Sequence, residues 1–415
     1  MEIRLPADGL GIPLRAPTTS EIRLAAESIR GRCIRTPLVR LNWSSGGGDA
    51  GAGEDPSEPE IYLKLECLQP VKSFKCRPAA NALATILRGG RDAKAALQRS
   101  GVCTASAGNF GQGLAWVCRE QGILCTILAP DHAPTTKLDA MRRRGAHVIT
   151  VPFDDWWRAI ETHGFPQAPA GARFIHPGCD NAVLCGNATI ALEIAEDLPT
   201  VDLIIAPYGS GALVTGIACG VRALVEEGLL SPGARVLAAE PEPAAPFAAS
   251  MRAGCAQRLG PKEHASSFVD GCGGKAVLEE LWPLARRVID GGVGVPLDAI
   301  ASAIRTIAER NSVVAEGAGA CPVAAAMLRT HPLCAAAKRI VCVVSGGGID
   351  EAKLAYILRG RGVPPAGALL GTGAEEEYSM SQQPVFGMVL QTHTTSTATG
   401  RKTMPPRMRK RSRSV

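Results

Sequence analysis

The sequence predicts an α/β protein of two lobes, each with a mainly parallel sheet flanked by helices. Three observations carry this expectation. Short apolar runs alternate with amphipathic stretches along most of the chain, glycine-rich turns follow several of the runs, and no internal repeat competes with the alternation. A chain of 415 residues is also too long for one small domain and suits two lobes.

The strand candidates in order are IYLKLE (61–66), GVCTAS (101–106), ILCTILA (123–129), HVITV (147–151), DLIIAP (202–207), RVLAAE (235–240) and RIVCVVS (339–345). Helical patterns follow most of them, over 110–121, 135–144, 182–196, 212–227, 297–310 and 317–329. Sheets of this kind collect ligands at the carboxyl ends of their strands. The glycine-rich turns of this chain fall there.

Composition excludes several classes. The chain is 46% hydrophobic and 20% charged, as soluble globular proteins are. Its formal charge is +6, but seven Lys or Arg and no acid lie from Arg401 onward, so +6 less 7 leaves −1 for residues 1–400. A nearly neutral body does not suggest a nucleic-acid surface. The 14 Cys include no CxxC pair and no cluster of Cys and His at zinc-ligand spacing. Several lie in strand-like runs, as buried reduced thiols of a cytoplasmic protein do. The N-terminus carries early acids and no apolar segment, so it does not read as a signal peptide. No apolar run reaches membrane-spanning length: the longest candidate, Leu203 to Gly220, is broken by Pro207 and four glycines. Residues 45–60 read as a flexible surface insertion, and 361–415 as a disordered basic tail.

Four segments at strand–helix junctions carry candidate chemistry. In QPVKSFKCRPAANAL, Ser73 is a candidate helix N-cap and Lys75 falls in the first turn that follows. A helix start disfavours a cation. An amine there among apolar neighbours is pushed toward its neutral form, the nucleophile that a Schiff base needs. An exposed surface lysine is the plain alternative. In TASAGNFGQGLAW (104–116), small residues surround Asn109, where free N–H groups suit a carboxylate; an ordinary turn capped by Ser106 is the alternative. In APYGSGALVTG (206–216), Gly209, Ser210, Gly211 and Ala212 would wrap N–H groups around a phosphate. This loop lacks the Gly-Lys-Ser/Thr ending of a Walker loop, and its sixth position is Val214 rather than glycine. In VVSGGGID (343–350), Ser345 emerges at a strand end, as a site residue or as a helix cap.

Taken together, the four segments resemble the fold-type II pyridoxal-phosphate enzymes, whose fold is that of the tryptophan synthase β subunit. Within them they resemble the threonine/serine dehydratases and serine racemases. The lysine motif SFKxRxA is matched by Ser73 to Ala79, SxGNxxQG by Ser106 to Gly113, and the glycine tetrad before Leu by Gly209 to Leu213. The closing SGGN is matched by Ser345, Gly346 and Gly347, with Gly348 in place of Asn. VDGCGGKAV (269–277) and EGAGA (316–320) match further, and the resemblance spans roughly residues 20–360.

The resemblance implies pyridoxal 5'-phosphate held on Lys75, which later serves as the base at Cα. It implies Phe74 beside the ring, Asn109 on the phenolic oxygen, Gly209 to Leu213 around the phosphate and Ser345 at the ring nitrogen. The turn of Ser106, Ala107, Gly108 and Asn109, with Ser73, would hold an amino-acid substrate. It further implies a cofactor-binding lobe of residues 20–98 and 170–360, a smaller substrate-facing lobe of 99–169, a homodimer, and β-elimination of a 3-hydroxy amino acid to a 2-oxo acid and ammonia. After Gly360 the strand–helix pattern of a folded regulatory domain stops, so feedback by isoleucine is not expected.

Departures matter too. Racemases of this family place a second base, a serine, where Ala107 stands, which turns the expectation toward a dehydratase. The divalent-cation position pairs Glu240 with Pro246 rather than with an acid, so no metal is expected. Val71-Lys72 replaces the usual Thr-Gly, and Glu316 is either a neighbour of the cofactor or a helix-start acid. A β-replacement enzyme of the cysteine-synthase kind would carry a different lysine flank and a TSGN loop. A catalytically silent binding protein would not need both Lys75 and Ser345.

Overall fold

In the computed structural model of the protein, residues 13–43 and 58–365 are described. Most of the expected insertion and residues 366–415 of the expected tail lie outside them, but Glu60, the last insertion residue, begins a strand. Ten strands form among the described residues. They are β1 (Leu38–Arg40), β2 (Glu60–Lys64), β3 (Val102–Ala105), β4 (Cys125–Pro130), β5 (His147–Val151), β6 (Arg173–Phe174), β7 (Leu203–Pro207), β8 (Arg235–Pro241), β9 (Gly291–Val295) and β10 (Arg339–Val343).

They make two sheets. One has the order β1-β2-β10-β7-β8-β9, the other β5-β4-β3-β6. Every pairing is parallel except the β1–β2 edge. β10, last in sequence, lies at the centre of the larger sheet, with Val341 opposite Tyr62 on one side and Ile204 on the other.

Period-two alternation explains why the large sheet is covered on both faces. Leu203 and Ile205 of β7, with Ile340 and Cys342 of β10, enter one core. Ile204 and Ala206, with Val341 and Val343, enter the other. A third cluster joins Cys103, Ala105 and Leu128 of the small sheet to Ala159 and Ile160 of the helix Phe153–Glu161.

Three strands were not expected, and each hides for a physical reason. β1 has three residues and β6 two, too short to show a period. β9 is GGVGV, and glycine carries no strand preference. Through β6 the small sheet extends past residue 169. The IYLKLE run also ends early as a strand, since Glu66 opens a 3-10 turn.

Lys72 has φ +59, the left-handed region. Its side chain is exposed while Val71 is buried, and neither lines the cavity described below. Left-handed backbone costs a side-chain-bearing residue roughly 1–2 kcal/mol, partly offset for glycine by its freer unfolded state. Lys72→Gly is therefore expected to stabilise the protein by about 0.5–1 kcal/mol, read as a raised denaturation midpoint. A lowered midpoint would mean that the lysine makes a compensating contact.

Candidate active site

The site is assembled by a short zipper between two loops. Ser73 pairs with Gly346 in an antiparallel bridge, Phe74 N–H donates to Ser345 O at 3.0 Å, and Gly347 N–H donates to Lys72 O at 2.9 Å. The expectation that Ser73 caps the helix is corrected here. The bridge draws Ser73 away, its Oγ is buried without a partner, and Lys75 itself is the N-cap of the helix Cys76–Leu87. From the other side, Gly113 packs on the Lys75 carbonyl, where a Cβ would stand 2.7 Å from the oxygen.

Beneath Lys75 lies a buried ion cluster. Arg77 is 1% exposed. Its Nη2 and Nε donate to the two Glu66 oxygens at 2.8 Å, and its Nη1 and Nη2 to those of Glu193 at 2.6 and 2.8 Å. Lys64 Nζ adds 2.6 Å to Glu193, and Thr36 Oγ1 2.6 Å to Glu66. Burial alone would raise the Glu66 carboxyl, but the guanidinium outweighs it and holds the group below its ordinary value. The cluster joins the end of β2, the helix Cys76–Leu87 and the helix Asn181–Asp197 into one rigid base.

Above this base is a cavity of about 430 Å³. Phe74, Lys75, the turn Ser106–Asn109, Gly209 to Gly211, Leu213 and Ser345 all line it. Ser73 and Ala212 do not; Ala212 is buried at the start of the helix Ala212–Glu226. The Lys75 amine stands 4.7 Å from the Phe74 ring centre and 5.5 Å from that of Phe110. Burial lowers it to about 8, against the pull of the Glu316 carboxylate.

Each turn around the cavity is shaped by its sequence. Ser106 Oγ accepts N–H from Gly111 at 2.9 Å and Gly108 at 3.3 Å, which folds the turn onto the start of the helix Asn109–Gln121. Gly211 has φ +87, and a Cβ there would meet Tyr208 Oη at 2.7 Å, so only glycine closes this loop.

Three further residues line the cavity: Glu316, which the sequence leaves as a neighbour of the cofactor or a helix-start acid, and Lys137 and Asp270, to which it gives no role. Glu316 occupies the N-cap position of the helix Gly317–Leu328 without a side-chain cap bond, and accepts from Asn109 Nδ2 at 2.9 Å. Its Oε2 is buried without a side-chain partner, and burial pushes the carboxyl up to about 7, opposed by Lys137 and reinforced by Asp270. Gly346 leaves room for it, since a Cβ there would lie 2.8 Å from the Glu316 Cδ. Lys137 and Asp270 form an ion pair of 2.8 Å, with the lysine against Gly108. Lys137 sits in a helix that reads as exposed, TTKLDAMRR, and gave no signal; Asp270 lay within a matched segment with no role attached. Glu240 is buried near the carboxyl end of β8, between β7 and β9. Both of its oxygens accept N–H groups, from Phe247 at 3.1 Å and Ala248 at 2.9 Å, so the carboxylate is committed to a helix start.

A buried amine without a counter-ion, an aromatic ring beside it and a glycine turn at a helix N-terminus define an enzyme that anchors a phosphorylated aldehyde cofactor through lysine. The family of pyridoxal-phosphate dependent enzymes matches residues 29–346. An L-threonine ammonia-lyase of Thermotoga maritima is 35% identical over 80% of this chain and 76% of its own. The catabolic L-threonine dehydratase TdcB of Escherichia coli is 31% identical over 80% and 93%. A maize serine racemase structure superposes with a TM-score of 0.69 at 27% identity, covering 84% of this chain and 98% of that one. The chain belongs to the pyridoxal-phosphate dependent enzyme family, and pyridoxal phosphate is its cofactor.

Two outcomes follow. Arg77→Met leaves Glu66 charged and unpaired in the core, so it is expected to destabilise the protein by about 3–5 kcal/mol in denaturant unfolding; a loss under ~1 kcal/mol would show the cluster to be dispensable. Only the neutral Lys75 amine attacks the cofactor aldehyde. Reconstitution of cofactor-free protein, followed by the visible band, is therefore expected to accelerate as pH rises through about 8. A rate that falls over this interval would contradict the lowered amine.

Proposed function

We propose that the protein is a pyridoxal-phosphate-dependent ammonia-lyase that converts L-threonine, L-serine or a related 3-hydroxy amino acid into a 2-oxo acid and ammonia by β-elimination. One observation carries this choice: the buried Lys75 amine lines the cavity together with a turn whose residue 107 is alanine. The relatives named for threonine dehydration support the same reading.

In this reading Gly209 to Leu213 would hold the phosphate through N–H groups, Phe74 would flank the ring, and Asn109 and Ser345 would hydrogen-bond its phenolic oxygen and nitrogen. The bound cofactor supplies the electron sink that lets the Cα–H bond break. Lys75 accepts the Cα proton; an amine lowered to about 8 keeps an appreciable neutral fraction near pH 7. The Ser106–Asn109 turn orients the substrate carboxylate through N–H groups. Ser345 is a hydroxyl rather than a carboxylate and does not hold a proton on the ring nitrogen, which favours loss of the β-hydroxyl over transamination. Ala107 has no proton to deliver to the opposite face of Cα, which disfavours racemisation.

The reading extends to the lobes 20–98 with 170–360 and 99–169, with the strand Arg173–Phe174 joining the smaller one, to a homodimer and to a cytoplasmic location. Twelve of the fourteen cysteines are buried free thiols, which suits a reducing compartment. No described helix is long and apolar enough to cross a membrane.

Lys75→Ala is expected to lower ammonia release from L-threonine by ~10²-fold or more, because it removes both the anchor and the base. In the wild type, a 2-oxo acid is expected to exceed any D-amino acid. Chiral chromatography beside a 2-oxo acid assay measures both, and a D-amino acid as main product would refute the lyase reading.

A further inference from the structure

The cavity has a third region beyond the cofactor end and the carboxylate turn. Its wall is made by Trp156, Trp157, Ile160, Pro177, Ala276 and Leu278. The helix Phe153–Glu161 repeats Phe153, Trp156, Trp157 and Ile160 at spacings of three and four, which places them on one stripe. Ile160 is buried on the small sheet, while the two tryptophans are half-buried against the cavity.

The wall is largely apolar and held by its own contacts, although Trp156 Nε1 is buried without a hydrogen-bond partner. Trp157 Nε1 donates to Glu161 at 2.6 Å, so its polar edge is spent. Its ring stacks with Phe153 at 6.3 Å, lies 6.0 Å from Trp156, and carries Arg258 at 5.6 Å. His176 Nε2 lies 3.1 Å from Ile160 O, while its Nδ1 accepts N–H from Gly178 and Cys179. That bond pins the helix end, with the ring kept neutral by burial. The cations nearby are engaged: Lys137 pairs with Asp270, and Lys275 lies 5.0 Å over Phe153.

Four of these residues, Trp157, Ile160, Ala276 and Leu278, also bound a second cavity of about 330 Å³. Glu161, Arg258, Glu279 and Glu280 line its far side. These four side chains therefore form a shared partition between the two cavities.

We infer that this wall is the side-chain subsite, and that it takes a 3-hydroxy amino acid whose Cβ carries an aromatic or similarly bulky apolar group. The inference rests on the ammonia-lyase reading and deepens it. A methyl group would cover little of this apolar surface, whereas an aromatic ring would bury much more of it. With 3-phenylserine the reaction balances without an oxidant. The Cα–H and Cβ–O bonds break and water leaves. The enamine then takes up water, releasing ammonia and 3-phenyl-2-oxopropanoate.

The holoenzyme tests this in two ways. The kcat/KM for ammonia release from threo-3-phenylserine is expected to exceed that from L-threonine by about tenfold or more, a difference that apolar pockets supply; a smaller ratio overturns the inference. Trp157→Ala, which merges the two cavities, is expected to lower that ratio about tenfold, while Trp157→Phe keeps it; an unchanged ratio in the alanine variant removes Trp157 from the subsite. Shifts of the cofactor band with L-phenylalanine and L-alanine read the pocket without turnover. Tighter binding of L-phenylalanine with no ammonia from any 3-hydroxy amino acid would keep the subsite and sink the lyase reading. Tighter binding of L-alanine would sink the subsite alone.

Discussion

The position of Lys75 depends on the charge cluster beneath it. Arg77 holds two carboxylates from two separate elements, and Lys64 holds one of them again. Two cations and two anions in the core are a costly way to gain stability, because each must leave water. What they provide is geometry. A guanidinium fork bonded twice to each partner leaves little rotational freedom, so the first turn of the helix Cys76–Leu87 has a fixed position and a fixed direction. Apolar packing would hold the same turn less directionally.

Above the cluster the physics reverses. Desolvation of the Lys75 amine outweighs the pull of the Glu316 carboxylate, and that is why it is shifted toward the neutral form. Lysine and arginine two positions apart thus serve opposite ends: one is stripped of partners to become reactive, the other saturated with partners to become immobile. Glu316 stands between these extremes, with one oxygen bonded to Asn109 and the other buried without a side-chain partner.

Much of this was legible from the sequence because it is local. The lysine, the Ser106–Asn109 turn, the Gly209–Leu213 loop and Ser345 each stand at a strand–helix junction, and junctions are marked by glycine and by the change of hydrophobic period. What stayed hidden is non-local. The Ser73–Gly346 bridge, the Lys137–Asp270 pair and the wall of Trp157 and Leu278 join residues that share no segment. Ser73 shows the difference plainly: its local pattern reads as a cap, and a distant loop claims it as a strand partner. β9 failed for another reason, since a strand that is mostly glycine carries no side-chain signal at all.

The central place of β10 has a consequence for synthesis on the ribosome. This strand is made last among the sheet strands, yet it lies between β2 and β7 and joins two parts of the sheet that otherwise have no shared edge. Until it emerges, both neighbours present unpaired backbone along an open edge, which is the form of intermediate that aggregates. The Ser345 loop arrives with it, so the lysine loop gains its zipper partner only at the final stage of folding. A nascent chain stopped before residue 339 would hold most of the cofactor contacts and still be unable to close the site.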